Sequence, residues 1–278
     1  MMARRITTIM PDLSFEEALE ITKIHSIAGI LKNSSLVIER PFRSPHHTIS
    51  GIGLIGGGRI PKPGEISLSH HGVLFLDELL EFKKNTLEVL RAPLEDKYVS
   101  ITRNNITLTY PCNFMLVASM NPCPCGYLGS KEKECSCTEI QKKNYRSRLS
   151  GPMLDRFDIQ VQVNSVKYLD LSKKESESSK TIKERVNISR KIQLERYKKE
   201  NIYSNSELTP KLIKKYCVID DESEKILSIA FEKLKLSARA YTKIIKVART
   251  IADICQSKNI KKEHIIEAIQ YRSLDKND

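Results

Sequence analysis

Two kinds of hydrophobic spacing divide the chain. Through the first 165 residues, short apolar runs alternate with Gly, Pro and paired polar residues; from Ile182 onward, apolar residues return every three or four positions, as along helices. Met1–Met10 reads as a short helix stopped by Pro11. Ser14-Phe15-Glu16-Glu17 has the form of a capping box, in which the Ser14 hydroxyl and the Glu17 carboxylate each satisfy an amide left open at a helix start. A helix to about Leu31 follows, with Ala18, Ile21, Ile24, His25 and Ala28 on one side. Arg40–Gly72 is rich in Gly, Pro and paired His and reads as loops with short strands.

Gly72-Val73-Leu74-Phe75-Leu76 is unbroken apolar sequence that stops at Asp77-Glu78, the pattern of a strand covered on both faces of a parallel sheet. Asn113–Ser119 and Ile159–Val163 read as two further buried strands, and Lys84–Leu90 as a helix between them and the first. Tyr98–Arg103 and Ile106–Tyr110 alternate like a hairpin that turns at Asn104-Asn105. Lys167–Lys183, mostly Ser, Lys and Glu, reads as a mobile linker or a solvated helix start. Beyond it, Thr209-Pro210 starts one helix, Ser237 caps another running to about Cys255, and Lys262–Arg272 forms the last. The expected organisation is an α/β core over residues 1–165, a linker over 166–185 and an all-helical domain over 186–278.

Composition narrows the class. No apolar run in the 278 residues approaches the ~20 needed to cross a bilayer, and Met1-Met2-Ala3-Arg4-Arg5-Ile6 lacks the apolar stretch of a secretory signal. Four of the seven Cys lie between Cys123 and Cys137, which fits thiols in the reducing cytoplasm better than a disulfide framework. Residues 166–278 carry 26 Lys and Arg against 17 Asp and Glu, a surplus of nine out of a net +12. Such a basic lobe suits a polyanionic partner, and it equally fits a Lys-rich solvated surface.

Two glycine patterns mislead. Gly51-Ile52-Gly53-Leu54-Ile55-Gly56 matches the dinucleotide fingerprint but leads into Gly57-Gly58-Arg59-Ile60-Pro61, which cannot open a helix, so a flexible loop is expected there. Gly53–Arg59 mimics a phosphate loop without its Lys or Ser/Thr, and no G-x-x-x-x-G-K-[ST] occurs in the chain.

Other residues carry chemistry. A buried strand ending in Asp77-Glu78 has the Walker B arrangement: Asp77 would hold the water shell of Mg²⁺ and Glu78 would polarise an attacking water. Asn121, after the next strand, is placed to orient that water toward a γ-phosphate. Arg156, ahead of the expected strand at Ile159–Val163, suits a finger on a neighbouring subunit's nucleotide, and Arg239, in the first turn of a helix, suits a second phosphate contact. Each Arg taken alone also fits a surface ion pair.

The order and spacing of these motifs resemble the AAA+ ATPases, in particular the magnesium-chelatase-like branch of ComM/YifB type. The resemblance runs through Arg40-Pro41-Phe42-Arg43-Ser44-Pro45-His46-His47, Gly72–Glu78, Asn121-Pro122-Cys123-Pro124-Cys125-Gly126, Tyr145–Asp158 and Leu236–Asp253. It implies a P-loop NTPase core and a helical lid, ATP and Mg²⁺ as cofactors, a hexameric ring, a hairpin near Tyr98–Tyr110 that faces DNA, and ATP-driven branch migration of DNA. Against the family pattern, Met1–Ile6 resembles the helix just after the phosphate loop. The expected fold is therefore an incomplete core whose sheet lacks its central first strand, as in a fragment or a late start codon, and this polypeptide alone is expected not to hydrolyse ATP. A chelatase-type protein-remodelling subunit and a non-catalytic binding module remain open as readings.

Cys123-x-Cys125 and Cys135-x-Cys137 place four thiols on one loop, a set suited to tetrahedral Zn²⁺, with reduced thiols or a redox pair as the alternative. His46-His47 and His70-His71 are expected to make loop or core hydrogen bonds, since neighbours on a strand point to opposite faces and each pair offers one His to a shared metal. Cys112, Cys217 and Cys255 lie on apolar segments and are expected to pack.

Overall fold

The computed structural model describes residues 2–31, 35–103, 106–130, 133–163 and 177–272. They form two compact units, Met1–Arg156 and Phe157–Asp278.

The first unit opens with α1 (Met2–Ile9) and α2 (Phe15–Ala28). Both arms of the capping box form: the Glu17 amide donates to Ser14 Oγ at 3.2 Å, and the Ser14 amide donates to Glu17 Oε2 at 3.0 Å. Helix α2 closes at Gly29, whose φ of 73° is the left-handed conformation glycine adopts without strain. There follow β1 (Phe42–Arg43), α3 (Gly51–Ile55), β2 (Gly56–Gly57), β3 (Lys62–Pro63), α4 (Glu65–Leu68) and β4 (Val73–Leu76). After them come α5 (Lys84–Glu88), α6 (Arg91–Asp96), β5 (Tyr98–Arg103), β6 (Ile106–Pro111), β7 (Met115–Ala118), α7 (Glu139–Arg146) and α8 (Gly151–Leu154).

β1, β4 and β7 make a parallel sheet in that order, with Phe42 beside Val73 and Val73 beside Met115. The apolar run at β4 earns the central place: Val73, Leu74 and Leu76 are buried together with Ile21 and Ile24 of α2, Ile66 of α4, and Leu79, Leu80 and Phe82 just beyond the strand. β5 and β6 pair antiparallel as expected, with Val99 opposite Tyr110 on the covered face and the hydroxyl pairs Ser100–Thr109 and Thr102–Thr107 on the other. The turn at Asn104-Asn105 lies outside the described residues.

Three expectations need correction. Gly51–Ile55 is a turn of helix rather than a flexible loop, because Ser50 Oγ accepts from the Gly53 amide and Leu54 is fully buried. β7 is half exposed, with Met115 at 45%, since among the described residues only β4 pairs with it. Ile159–Val163 does not join the sheet: Gln160 makes a single parallel bridge to Arg272, and the side chains of Ile159, Val161 and Val163 are exposed. An apolar run becomes a sheet strand only where a neighbour offers its backbone.

In the second unit, α9 (Ser179–Arg196) begins inside the span expected as linker, its N-cap Ser178 accepting from the Thr181 amide. Residues 166–176 of that linker lie outside the described residues. α10 (Pro210–Tyr216) and α12 (Ala238–Ile254) start at the predicted caps Thr209 and Ser237; α11 (Asp221–Lys233) and α13 (Lys262–Gln270) complete the set. Ile244, Ile245, Ala248 and Ala252 of α12 pack with Leu227, Ile265 and Ala268 in one core. Fully buried Asp253 is held by the guanidinium groups of Arg196 and Arg249 and by Asn205 Nδ2, so its charge is paired as burial demands.

Candidate functional site

Sheet geometry gathers the acidic site. Strand β4 delivers Asp77 and Glu78 at its carboxyl end, and β7 delivers Ser119 beside them, the Ser119 amide donating to Leu76 O at 3.0 Å and the Leu79 amide to Ser119 O at 2.8 Å. The Ser119 hydroxyl donates to Asp77 Oδ1. The Glu78 amide turns back to Asp77 Oδ1 at 3.2 Å, which places Glu78 in the left-handed region at φ 52°. Strain of this kind in a residue with a side chain persists where the surroundings enforce it, and it concentrates at functional sites. Both carboxylates are exposed. A carboxylate and a hydroxyl at a strand end are hard oxygen donors, the set that Mg²⁺ takes.

Asn121 follows Ser119 by two residues and is exposed. Sequence reasoning did not connect His47 with this site. Its Nδ1 stands 3.5 Å from Glu78 Oε2, and its ring meets Phe82 edge-on. The sequence carries no signal for this approach, which depends on β1 lying beside β4.

Arg156 is engaged elsewhere: it donates to Glu95 Oε1 at 2.7 Å, to Pro152 O at 2.6 Å and to Arg91 O at 3.3 Å. Arg148 instead reaches the strand end, donating to Leu80 O at 3.0 Å and Glu81 Oε2 at 3.2 Å. Arg239 belongs to the second unit, exposed in the first turn of α12.

Beyond Asn121 the four cysteines converge. Cys123, Cys125 and Cys135 have sulfurs 3.4 to 3.6 Å apart, the Cys125 amide donates to Cys137 Sγ at 3.4 Å, and all four sulfurs lie within 4.8 Å of one another. Tetrahedral Zn–S bonds of about 2.3 Å space sulfurs at roughly 3.8 Å, so the donor set fits that ion closely. A backbone hydrogen bond at Tyr127 leads the effects that bring the Cys125 thiol down to about 5, while burial pushes Cys137 up to about 12. Of the other thiols, Cys112 and Cys217 pack in the interior as expected, but Cys255, at the end of α12, is exposed.

The second histidine pair departs from the strand rule. His70 Nε2 and His71 Nε2 both reach Glu20 Oε2, at 2.9 and 2.8 Å. They lie in a turn with His71 at φ 54°, not on a strand, so adjacent rings share a side. His70 Nδ1 accepts from the Asn113 amide, so Nε2 carries the hydrogen and donates to Glu20, leaving no lone pair there for a metal. Burial pushes His70 down to about 4, overriding the carboxylate. Around this clamp Arg40 donates to Pro11 O, Asp12 O, His71 O and Glu17, tying α2 to the strand entrances.

Residues 1–171 match the family described as magnesium chelatase, subunit ChlI, and residues 176–272 match the C-terminal part of that subunit. The chain is 45% identical to the uncharacterized protein YifB of Escherichia coli (strain K12), the match taking in 99% of this chain and 54% of YifB. It is 42% identical to the competence protein ComM of Haemophilus influenzae over 99% of this chain and 53% of ComM. To the magnesium-chelatase subunit ChlI of Mesostigma viride it is 23% identical, over 65% of this chain and 46% of that protein. The chain thus spans about half the length of the relatives it matches most fully.

Proposed function

Because the chain belongs to the magnesium chelatase ChlI family, whose fold is a P-loop AAA+ core with a helical C-terminal domain, we propose that it forms the Mg²⁺ and water side of an ATP-hydrolysing motor site. The observation that carries this reading is the pair Asp77–Glu78 at the end of the central strand, with Asp77 fixed by Ser119 from the next strand. Mg²⁺ bound there would neutralise charge on the phosphates. Asp77 would hold its water shell, Glu78 would take the proton of the attacking water, and Asn121 would orient that water. Arg156 would serve a neighbouring subunit's phosphate by exchanging Glu95 for it, and Arg239 would supply a second cationic contact. We assign the assembly as a ring, with six subunits as the AAA+ resemblance implies.

The polyanion on which this motor works is, in this reading, DNA, moved by branch migration as foreign strands are taken up. The basic surplus of residues 166–278, the hydroxyl-lined hairpin β5–β6 and the competence name of the H. influenzae relative support it. The cysteine loop would hold a structural Zn²⁺ that pins the segment after Asn121.

The sequence has no G-x-x-x-x-G-K-[ST], so the phosphate loop would come from polypeptide outside these 278 residues. Two results are expected. The 278-residue chain by itself gives no Mg²⁺-dependent ATP turnover. In the assembly that supplies the loop, Glu78→Gln lowers kcat by about 10²–10⁴ and leaves ATP binding intact. Turnover indifferent to Glu78→Gln would overturn the reading.

A further inference from the structure

Behind the acidic pair, one peptide unit is pinned at both ends. In the short 3₁₀ turn Leu79–Glu81, the Glu81 amide donates to Glu78 O at 2.8 Å. The carbonyl of that same unit, Leu80 O, accepts from Arg148 Nη1 at 3.0 Å. Arg148 also donates to Glu81 Oε2 at 3.2 Å, so it grips the side chain of the turn together with its backbone. Hydrogen bonds in series polarise one another, and a charged donor strengthens the series. The backbone of Glu78, strained at φ 52°, is held in part by this chain of contacts.

Arg148 reaches the turn from the cysteine loop. It lies two residues beyond α7, and α7 begins directly after Cys137 with a complete capping box between Thr138 and Gln141. Between these ends stands buried Tyr145, its ring centre 5.8 Å from the Arg148 guanidinium. Burial, with the charge of Glu81 next, pushes the Tyr145 hydroxyl up, and Cys123 and Glu78 lie close enough to act in the same sense. One helix thus joins the four thiols to the acidic turn. A strut transmits position only if its far end is fixed. The cysteine loop has no strand or helix among its described residues, so four thiolates around one cation would be what fixes it.

We propose that Arg148 is a positioning residue through which the cysteine loop controls the acidic turn: a metal-loaded loop anchors α7, and Arg148 then holds the Leu80–Glu81 peptide and the backbone of Glu78 in their working geometry. The proposal rests on the reading of Glu78 as the group that accepts the water proton. Arg148 itself touches no substrate. Its side chain is 51% exposed and that of Glu81 44%, so the ion pair adds little and the carbonyl contact carries most of the effect. Its loss is worth about three- to tenfold in the fraction of correctly set turns.

The test measures steady-state ATP hydrolysis by the assembly that supplies the phosphate loop. Arg148→Ala is expected to lower kcat about three- to tenfold with KM for ATP unchanged, and Arg148→Lys, which keeps one donor, to recover part of the loss. Cys135→Ser is expected to lower kcat by a similar factor, and to add less than about twofold to Arg148→Ala, because both act through one contact. Effects that multiply would overturn the link to the loop. Parental kcat in Arg148→Ala, with turnover abolished by Glu78→Gln, would refute the role of Arg148 and leave the reading of Glu78 standing. If Glu78→Gln has no effect, that reading falls and this proposal with it. Amide hydrogen exchange needs no turnover. In the Zn²⁺-loaded 278-residue chain, the Glu81 amide is expected to exchange several-fold faster after Arg148→Ala and after removal of zinc by a chelator. The Ser119 amide, bonded to Leu76 O, is expected to keep its rate. A Glu81 amide that either change leaves unmoved, or equal acceleration at Ser119, would overturn the proposal.

Discussion

His70 shows how burial decides the chemistry of one residue. Desolvation takes its pKa from the ordinary value near 6.5 down to about 4, although Glu20 sits within hydrogen-bond reach. The sign follows from which state takes up the proton. Above pH 6.5 both folded and unfolded His70 are neutral, and the clamp is fully present. As pH falls from 6.5 toward 4 the unfolded chain binds a proton that the folded one refuses, so stability drops, by on the order of 3 kcal/mol at most. Glu20, lowered because its two imidazole hydrogen bonds outweigh burial, adds loss in the same direction at still lower pH. Urea unfolding across that range should therefore show a falling midpoint, and His70→Gln should flatten the slope between pH 6.5 and 4. An unchanged slope in the variant would assign the acid sensitivity elsewhere. Single residues were legible where their partner is local, as with Ser14 and Glu17. The convergence of His70 and His71 on Glu20 was hidden because alternation holds along a strand and fails in a turn. The approach of His47 to Glu78 depends on which strands are neighbours, which no local pattern records.

Elements behave in the same way. β4 was readable because an unbroken apolar run has one comfortable place, between two neighbours. Ile159–Val163 carries a similar signal and stays out of the sheet for want of a paired backbone. Gly51–Ile55 became helix because Ser50 caps it and Leu54 finds the interior. The cysteine loop was legible as four thiols, and its geometry adds how it is used. It joins Asn121 to α7, whose N-cap Thr138 directly follows Cys137 and whose Tyr145 is buried. Reduced, purified chain is expected to bind one Zn²⁺, measured by elemental analysis. Cys135→Ser or a chelator should remove it and lower the melting temperature by several degrees, because a structural metal contributes folding free energy directly. Metal-free protein with the same melting temperature would leave the four thiols without that role.

Across the whole molecule, the order of elements announced an α/β part followed by a helical part, and the compact units divide between Arg156 and Phe157. What sequence order did not reveal is that Gln160 takes its one bridge from Arg272, far along the chain. Charge acts at this scale as well. With its basic surplus, the chain is expected to bind single-stranded and branched DNA through phosphates, with affinity falling about tenfold or more between 50 and 200 mM salt as counterions are released. Fluorescence anisotropy with labelled oligonucleotides reads this directly. Binding that ignores salt, or none, would favour a protein-remodelling subunit over a DNA motor. One last consequence concerns the glycines between α3 and α4. A Cβ at Gly64 would come within 2.4 Å of Leu54 O and of the Gly56 nitrogen, and Gly56 itself holds φ at 110°. Here glycine marks crowding rather than slack: the stretch is a pinched strut, and anyone seeking a pliant place to splice in a tag or a label should pass it by.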